Sequence, residues 1–221
     1  MSVWTIIYTY REGLLTGLFV TLGLAVVVWL AGLIFGVLFG ALAHRQKEST
    51  GKFLKIFSFI LASIPVLVLL FWLHYPLQAM LGIVVMPFIT AAFALSLINI
   101  AGVAQIVRDA LDEFPEQYVT AGKVCGLTPK EIFSKIQFPI IFRQTIPQFL
   151  TLQVSILQMT LFASLISVQE LFRVAQQINS QIYKPIEIYT ALAVFFIAIC
   201  LPLNLLAYWF KKKYTRNLSE K

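Results

Sequence analysis

Residues 14–43 form one unbroken uncharged stretch dominated by apolar side chains. About 20 such residues carry a helix across hydrocarbon, so this run suffices for a tilted or protruding span. Within lipid its backbone must satisfy itself, which leaves a helix as the only local solution. Four more apolar stretches follow at 56–73, 80–107, 146–168 and 188–210. The expected fold class is therefore all-α, an integral membrane bundle of five transmembrane helices in a single domain over 1–221. Composition agrees, because 59% hydrophobic and 12% charged residues leave too little polar surface to cover a soluble core. Only Arg11 is basic ahead of the first run, which is far longer than a signal-peptide core, so that span is expected to stay in the mature chain.

Charge sets the expected orientation. Fourteen of the lysines and arginines fall in three segments: 44–55, the 108–143 loop region, and the tail beginning Lys211-Lys212-Lys213. Only Arg11, Arg173 and Lys184 fall on the opposite side. The positive-inside rule then puts the amino terminus outside and the carboxyl terminus in the cytosol. The net charge of +7 is read as topology rather than as nucleic-acid binding. Cys125 and Cys200 fall in a cytosolic loop and a lipid-embedded helix, so no disulfide framework is expected.

Several span residues carry expectations of their own. Gly32, Gly36 and Gly40 repeat every four residues and give a flat strip for close helix approach. Pro65 is a kink in the second span, Pro87 lies within the third, and Asn99 is the third span's most polar deep residue. The fourth span carries two polar stripes. Gln148, Thr151, Ser155 and Gln158 make one, and Gln153, Thr160, Ser164 and Ser167 make another roughly opposite. A membrane helix polar on two sides must face protein or water on both, as a path-lining helix does. No Asp, Glu, Lys or Arg occupies the middle of any expected span, where each would cost about 2.5 to 3.5 kcal/mol. Any driving force is therefore expected from outside the bilayer.

The long polar interval, 109–139, interrupts this pattern. Pro115 suits a first helical turn and Gly126 a helix end, enclosing about ten residues, roughly 15 Å of helix and too short to cross a bilayer. Tyr118, Ala121, Gly122 and Cys125 share one face, with one large ring among small residues. That face suits either a lipid surface or a docked protein. Thr128-Pro129-Lys130-Glu131 reads as a capping box opening a second helix that ends before Pro139.

Thr120-Ala121-Gly122, Gly126 and Ile136-Gln137-Phe138-Pro139 together resemble the Glu-Ala-Ala, Gly, Ile-x-Leu-Pro loop of permease subunits in bacterial ATP-binding-cassette importers. Arg143, Pro147, Thr160, Ser164-Leu165 and Glu170-Leu171 extend the likeness to the polar amino acid uptake branch, the histidine, glutamine and arginine type. Thr120 stands where that family has its glutamate, Gly122 where it has the second alanine, and Gln158-Met159 where it has Lys-Asp.

The resemblance implies a transport subunit of the bacterial inner membrane that works as one of two permease subunits, homo- or heterodimeric. It implies a short cytoplasmic coupling helix between spans 3 and 4 that seats in separate ATPase subunits, with an external solute-binding protein delivering a polar amino acid. Docking is assigned to Tyr118, Thr120, Ala121, Gly122, Cys125 and Gly126, and the substrate path to Thr151, Ser155 and Gln158 with Glu170 and Arg173 at the outer mouth.

The chain has no Gly-x-x-x-x-Gly-Lys-Ser/Thr, no Cys/His cluster of metal spacing and no nucleophile-elbow serine. It is expected to be no enzyme, to hold no cofactor or metal, and to leave ATP to its partner. The competing class is an ATP-independent homo-oligomeric channel or exporter in which the polar loop is a gating segment.

Overall fold

The computed structural model describes residues 2–45 and 50–215, and every regular element among them is a helix. Lys47, Glu48, Arg216 and Lys221, which enter the charge count above, lie outside the described residues. A short helix α1, Val3–Thr9, precedes α2, Arg11–Arg45, the first of four helices long and apolar enough to cross a membrane. The other three are α6, Pro87–Asp112; α8, Pro129–Ile166; and α10, Pro185–Tyr214. Between α2 and α6 lie α3, Thr50–Ser63; α4, Val66–His74; and α5, Pro76–Leu81. The short helices α7, Glu116–Val124, and α9, Leu171–Ile182, flank α8 at its two ends.

The glycine strip meets the third span. A Cβ at Gly36 would stand 2.6 Å from Val103 Cβ and 3.0 Å from the Ile100 carbonyl, and one at Gly40 would stand 2.7 Å from the Ala104 carbonyl. Only glycine lets α2 and α6 run this close. Leu24 and Val28 of α2, Ala94 and Leu95 of α6, and Ile156 and Ile166 of α8 bury one continuous core with Leu70 of α4. A second core gathers Ile6, Leu14, Leu171, Ile178 and Ile188, and so seats α9 across α1, α2 and α10.

Three expected boundaries are redrawn at prolines. The second apolar stretch is broken rather than kinked, because Pro65 has no N–H to continue the ladder and caps α4 in an extended conformation. The third stretch does not run from 80. Gly82 closes α5 with a left-handed φ of 63°, and Pro87 opens α6 in its first turn, where proline belongs. The helix expected to end before Pro139 instead continues into α8. A π turn over Phe133–Gln137 shifts the hydrogen-bond register just ahead of Phe138 and Pro139, and the two expected helices become one.

Candidate functional site

The corner between α6 and α8 is built from local signals. Pro115 caps α7, Leu127 N donates to the Gly122 carbonyl at 3.1 Å, and Gly126 takes a φ of 77°. This is a Schellman-type stop of the kind that glycine permits at least cost. Thr128 Oγ1 then accepts from Glu131 N at 3.4 Å, while Thr128 N donates to Glu131 Oε2 at 3.0 Å. Lys135 Nζ donates to the same carboxylate at 2.9 Å, and these donors hold Glu131 down at about 2, Lys135 contributing most.

Tyr118, Thr120, Ala121 and Cys125 of the expected docking set are exposed on α7 and its end. Gly122 is not. It faces inward, where a Cβ would meet Ile132 Cγ1 at 3.0 Å, so the close approach it permits is made by α8 of the same chain. Val124, 84% exposed, takes the outward place instead. Its three-residue spacing from Ala121 was the available signal. Tyr118 leans on the buried Phe114, with ring centroids 6.0 Å apart.

Beside the root of α7 opens a groove of about 1000 Å³ whose lining includes Pro115. Its long wall is Gln148, Thr151 and Ser155 of the first polar stripe of α8 with Gln144 one turn before them, and α10 contributes Asn204 and Tyr208. The Thr151 hydroxyl donates to the Pro147 carbonyl at 2.9 Å and the Ser155 hydroxyl to the Thr151 carbonyl at 3.1 Å. Both oxygens keep lone pairs free. Amides and hydroxyls thus supply donors and acceptors without fixed charge, while Asp109, Glu113 and Lys211 stand at the end that carries α7. Asn204 and Tyr208 went unremarked in the sequence, although they are a helical turn apart in the last apolar run.

The remaining path residues lie elsewhere. Gln158 is exposed further along the stripe. Glu170 is fully buried and caps α9, its carboxylate accepting from Phe172 N at 2.9 Å and Arg173 N at 2.7 Å. Burial pushes its carboxyl up to about 7 against the pull of those amides. Leu171 N donates to Thr21 Oγ1 at 3.1 Å and Leu171 packs flush against Gly17, so this pair fastens α9 to α2. Arg173 is half-buried and its Nε meets no partner. The structure does not bring Glu170 and Arg173 to the groove.

The second stripe of α8 turns into the bundle. Gln153 pairs with Asn99, while Thr160 and Ser164 are buried and donate to the Leu157 and Leu161 carbonyls. α8 thus faces its own bundle on one side and an open polar groove on the other, as a path-lining helix would. The chain belongs to the family of binding-protein-dependent transport system inner membrane components, whose pattern matches residues 32–216.

Among curated relatives it is similar to the L-cystine transport system permease protein TcyB of Bacillus subtilis, 29% identical over 92% of this chain and 87% of the relative. The arginine ABC transporter permease protein ArtQ of Haemophilus influenzae is 27% identical over 84% and 86% of the two chains. The glutamine transport system permease protein GlnP of Escherichia coli is 25% identical over 91% and 92%. In fold it is similar to a crystal structure of an amino acid ABC transporter with histidines, with a TM-score of 0.85 at 19% identity over 96% of this chain and 99% of that one. The inward-facing MetNI methionine ABC transporter gives a TM-score of 0.73 at 19% identity over 94% and 99%. The chain is thus a permease subunit and not an enzyme.

Proposed function

We propose that the chain forms one half of the translocation path of an ATP-driven importer for a polar amino acid, and that α7 couples this path to separate ATPase subunits. The observation that carries the reading is the junction of the exposed α7 face with the polar groove, since Pro115 caps α7 and also lines the groove. Movement of α7 by an ATPase would therefore be transmitted to the groove mouth directly.

Tyr118, Thr120, Ala121, Val124 and Cys125 make the docking face, Gly122 sets its distance from α8, and Gly126 sets its angle. Gln148, Thr151 and Ser155 line the path, and Gln158 continues their stripe. Glu170 and Arg173 serve the outer end by holding α9 in place. The five spans comprise α2, the broken pair α3 and α4, α6, α8 and α10, with the amino terminus outside and α7 in the cytosol. Relatives named for L-cystine, arginine and glutamine transport support a polar amino acid cargo. A second permease subunit and an external binding protein complete the assembly, and ATP binds on the partner.

Purification from the native host in mild detergent tests this reading. A P-loop ATPase should accompany the chain in equal number and be lost from the Ala121→Arg/Val124→Arg variant, which stays in the membrane. A stable oligomer of the wild type carrying no ATPase would instead establish the channel or exporter reading.

A further inference from the structure

Asn99 is fully buried in the middle of α6, and its side-chain amide makes three bonds. Nδ2 donates to the Val28 carbonyl at 2.9 Å and to Gln153 Oε1 at 3.1 Å, and Oδ1 accepts from Gln153 Nε2 at 3.2 Å. Trp29 Nε1 donates to the Gln153 carbonyl at 3.1 Å. Three helices, α2, α6 and α8, are thus joined at one level. Gly32 makes room for the pair, since a Cβ there would stand 2.5 Å from Asn99 Cγ, and the π turn Gly32–Gly36 begins at that residue. Asn99 is fully buried and Gln153 half-buried, so separating the helices strips the asparagine amide of its partners.

Gln153 also sits two residues from both Thr151 and Ser155 along α8. Two residues turn a helix by about 200°, so the knot and the groove stripe occupy opposite faces. Whatever fixes Gln153 fixes the direction in which Thr151 and Ser155 point.

We propose that Asn99 and Gln153 are positioning residues of the transport cycle, whose amide pair locks α2, α6 and α8 into one unit that moves without α8 turning against its neighbours. Alternating access then opens and closes the groove by displacing this unit against other helices. The inference rests on the importer reading and goes beyond it in saying which part of the chain stays rigid.

A cross-link between α6 and α8 tests it, made in the complete complex with ATPase and binding protein in liposomes. A Cβ at Gly102 would lie 3.7 Å from Leu152 Cγ, so Gly102→Cys and Leu152→Cys, with Cys125 and Cys200 replaced, can be joined by oxidation or a short bifunctional reagent. Joined and reduced forms should import at rates within about twofold of each other, because nothing moves between the joined residues. Import that is abolished on joining and recovered on reduction would overturn the proposal.

The Asn99→Leu/Gln153→Met variant replaces both amides with apolar groups of similar size and leaves neither unpaired. It should still hydrolyse ATP but import about tenfold less per ATP, and the Gly102–Leu152 cross-link should restore the ratio. An unchanged ratio in that variant would also overturn the proposal. Where the variant does not assemble, the cross-link alone decides. A wild-type complex that neither imports nor hydrolyses ATP would defeat the importer reading instead, so the two failures are distinct.

Discussion

The α7 corner and the Asn99–Gln153 knot are both polar features of an apolar chain, but they are specified in opposite ways. The corner is written in adjacent residues: Pro115, Gly126, Thr128 and Glu131 lie within seventeen positions, and each bonds no further than the next turn. The knot joins residues 54 and 71 positions apart, and each group depends on the other two helices being in place. A corner of the first kind can be re-aimed without unfolding anything. A knot of the second kind cannot be moved without disturbing the bundle. The difference matches the division of labour proposed here, in which α7 receives force at the surface and the knot carries it as a rigid body.

The largest expected effect separates coupling from folding. Gly126→Val places a β-branched residue at a φ of 77°, which strains the turn by about 1–2 kcal/mol while its Cβ meets no atom within 4 Å. The α7 axis should swing, and import should fall by at least about tenfold while the melting temperature of the spans changes little. Normal import by this variant would dissolve the distinction, since the corner would then tolerate any angle. Gly36→Val attacks the other side. Its side chain would be driven into Val103 and the Ile100 carbonyl, so the loss should appear as about 1–3 kcal/mol of stability or as failed membrane assembly. Thermal unfolding in detergent measures it. A stable Gly36→Val protein with poor import would show that α2 and α6 are free to separate.

The two regions also differ in how far they were legible in the sequence. Hydropathy revealed the long helices, since charge-free runs have one solution in lipid. The corner was legible because its signals are local, with two exceptions: Gly122 faces α8 rather than outward, and the helix expected to stop before Pro139 continues, because the π turn at Phe133–Gln137 absorbs the register change. Asn99 stood out as a deep amide, but its partner did not, because α8 carries several polar residues and only the packed bundle selects Gln153. Glu170 was assigned to an open mouth for the same reason. Its amide partners Phe172 and Arg173 are only two and three residues away, but nothing local says that this cap would be buried against α2.

The smallest expected effect tests whether the corner is as self-contained as its bonds suggest. Thr128→Ala removes the acceptor for Glu131 N and the donor to Glu131 Oε2, a cap whose loss costs about 1 kcal/mol. Hydrogen exchange at the amides of 126–132 should speed up by about fivefold, and the amides of α6 and α8 within the bilayer should not change. Glu131 adds a pH signature of defined sign. Its carboxyl is held at about 2, below its ordinary 4.5, so the ionised form supports the corner at every pH above 4.5. That support is lost only as pH falls from 4.5 through 2. Corner protection should therefore be flat between pH 6 and 8 once intrinsic exchange is corrected. If Thr128→Ala instead loosened the spans, or if protection changed within that interval, the corner would be tied to the bundle by contacts its local hydrogen bonds do not reveal.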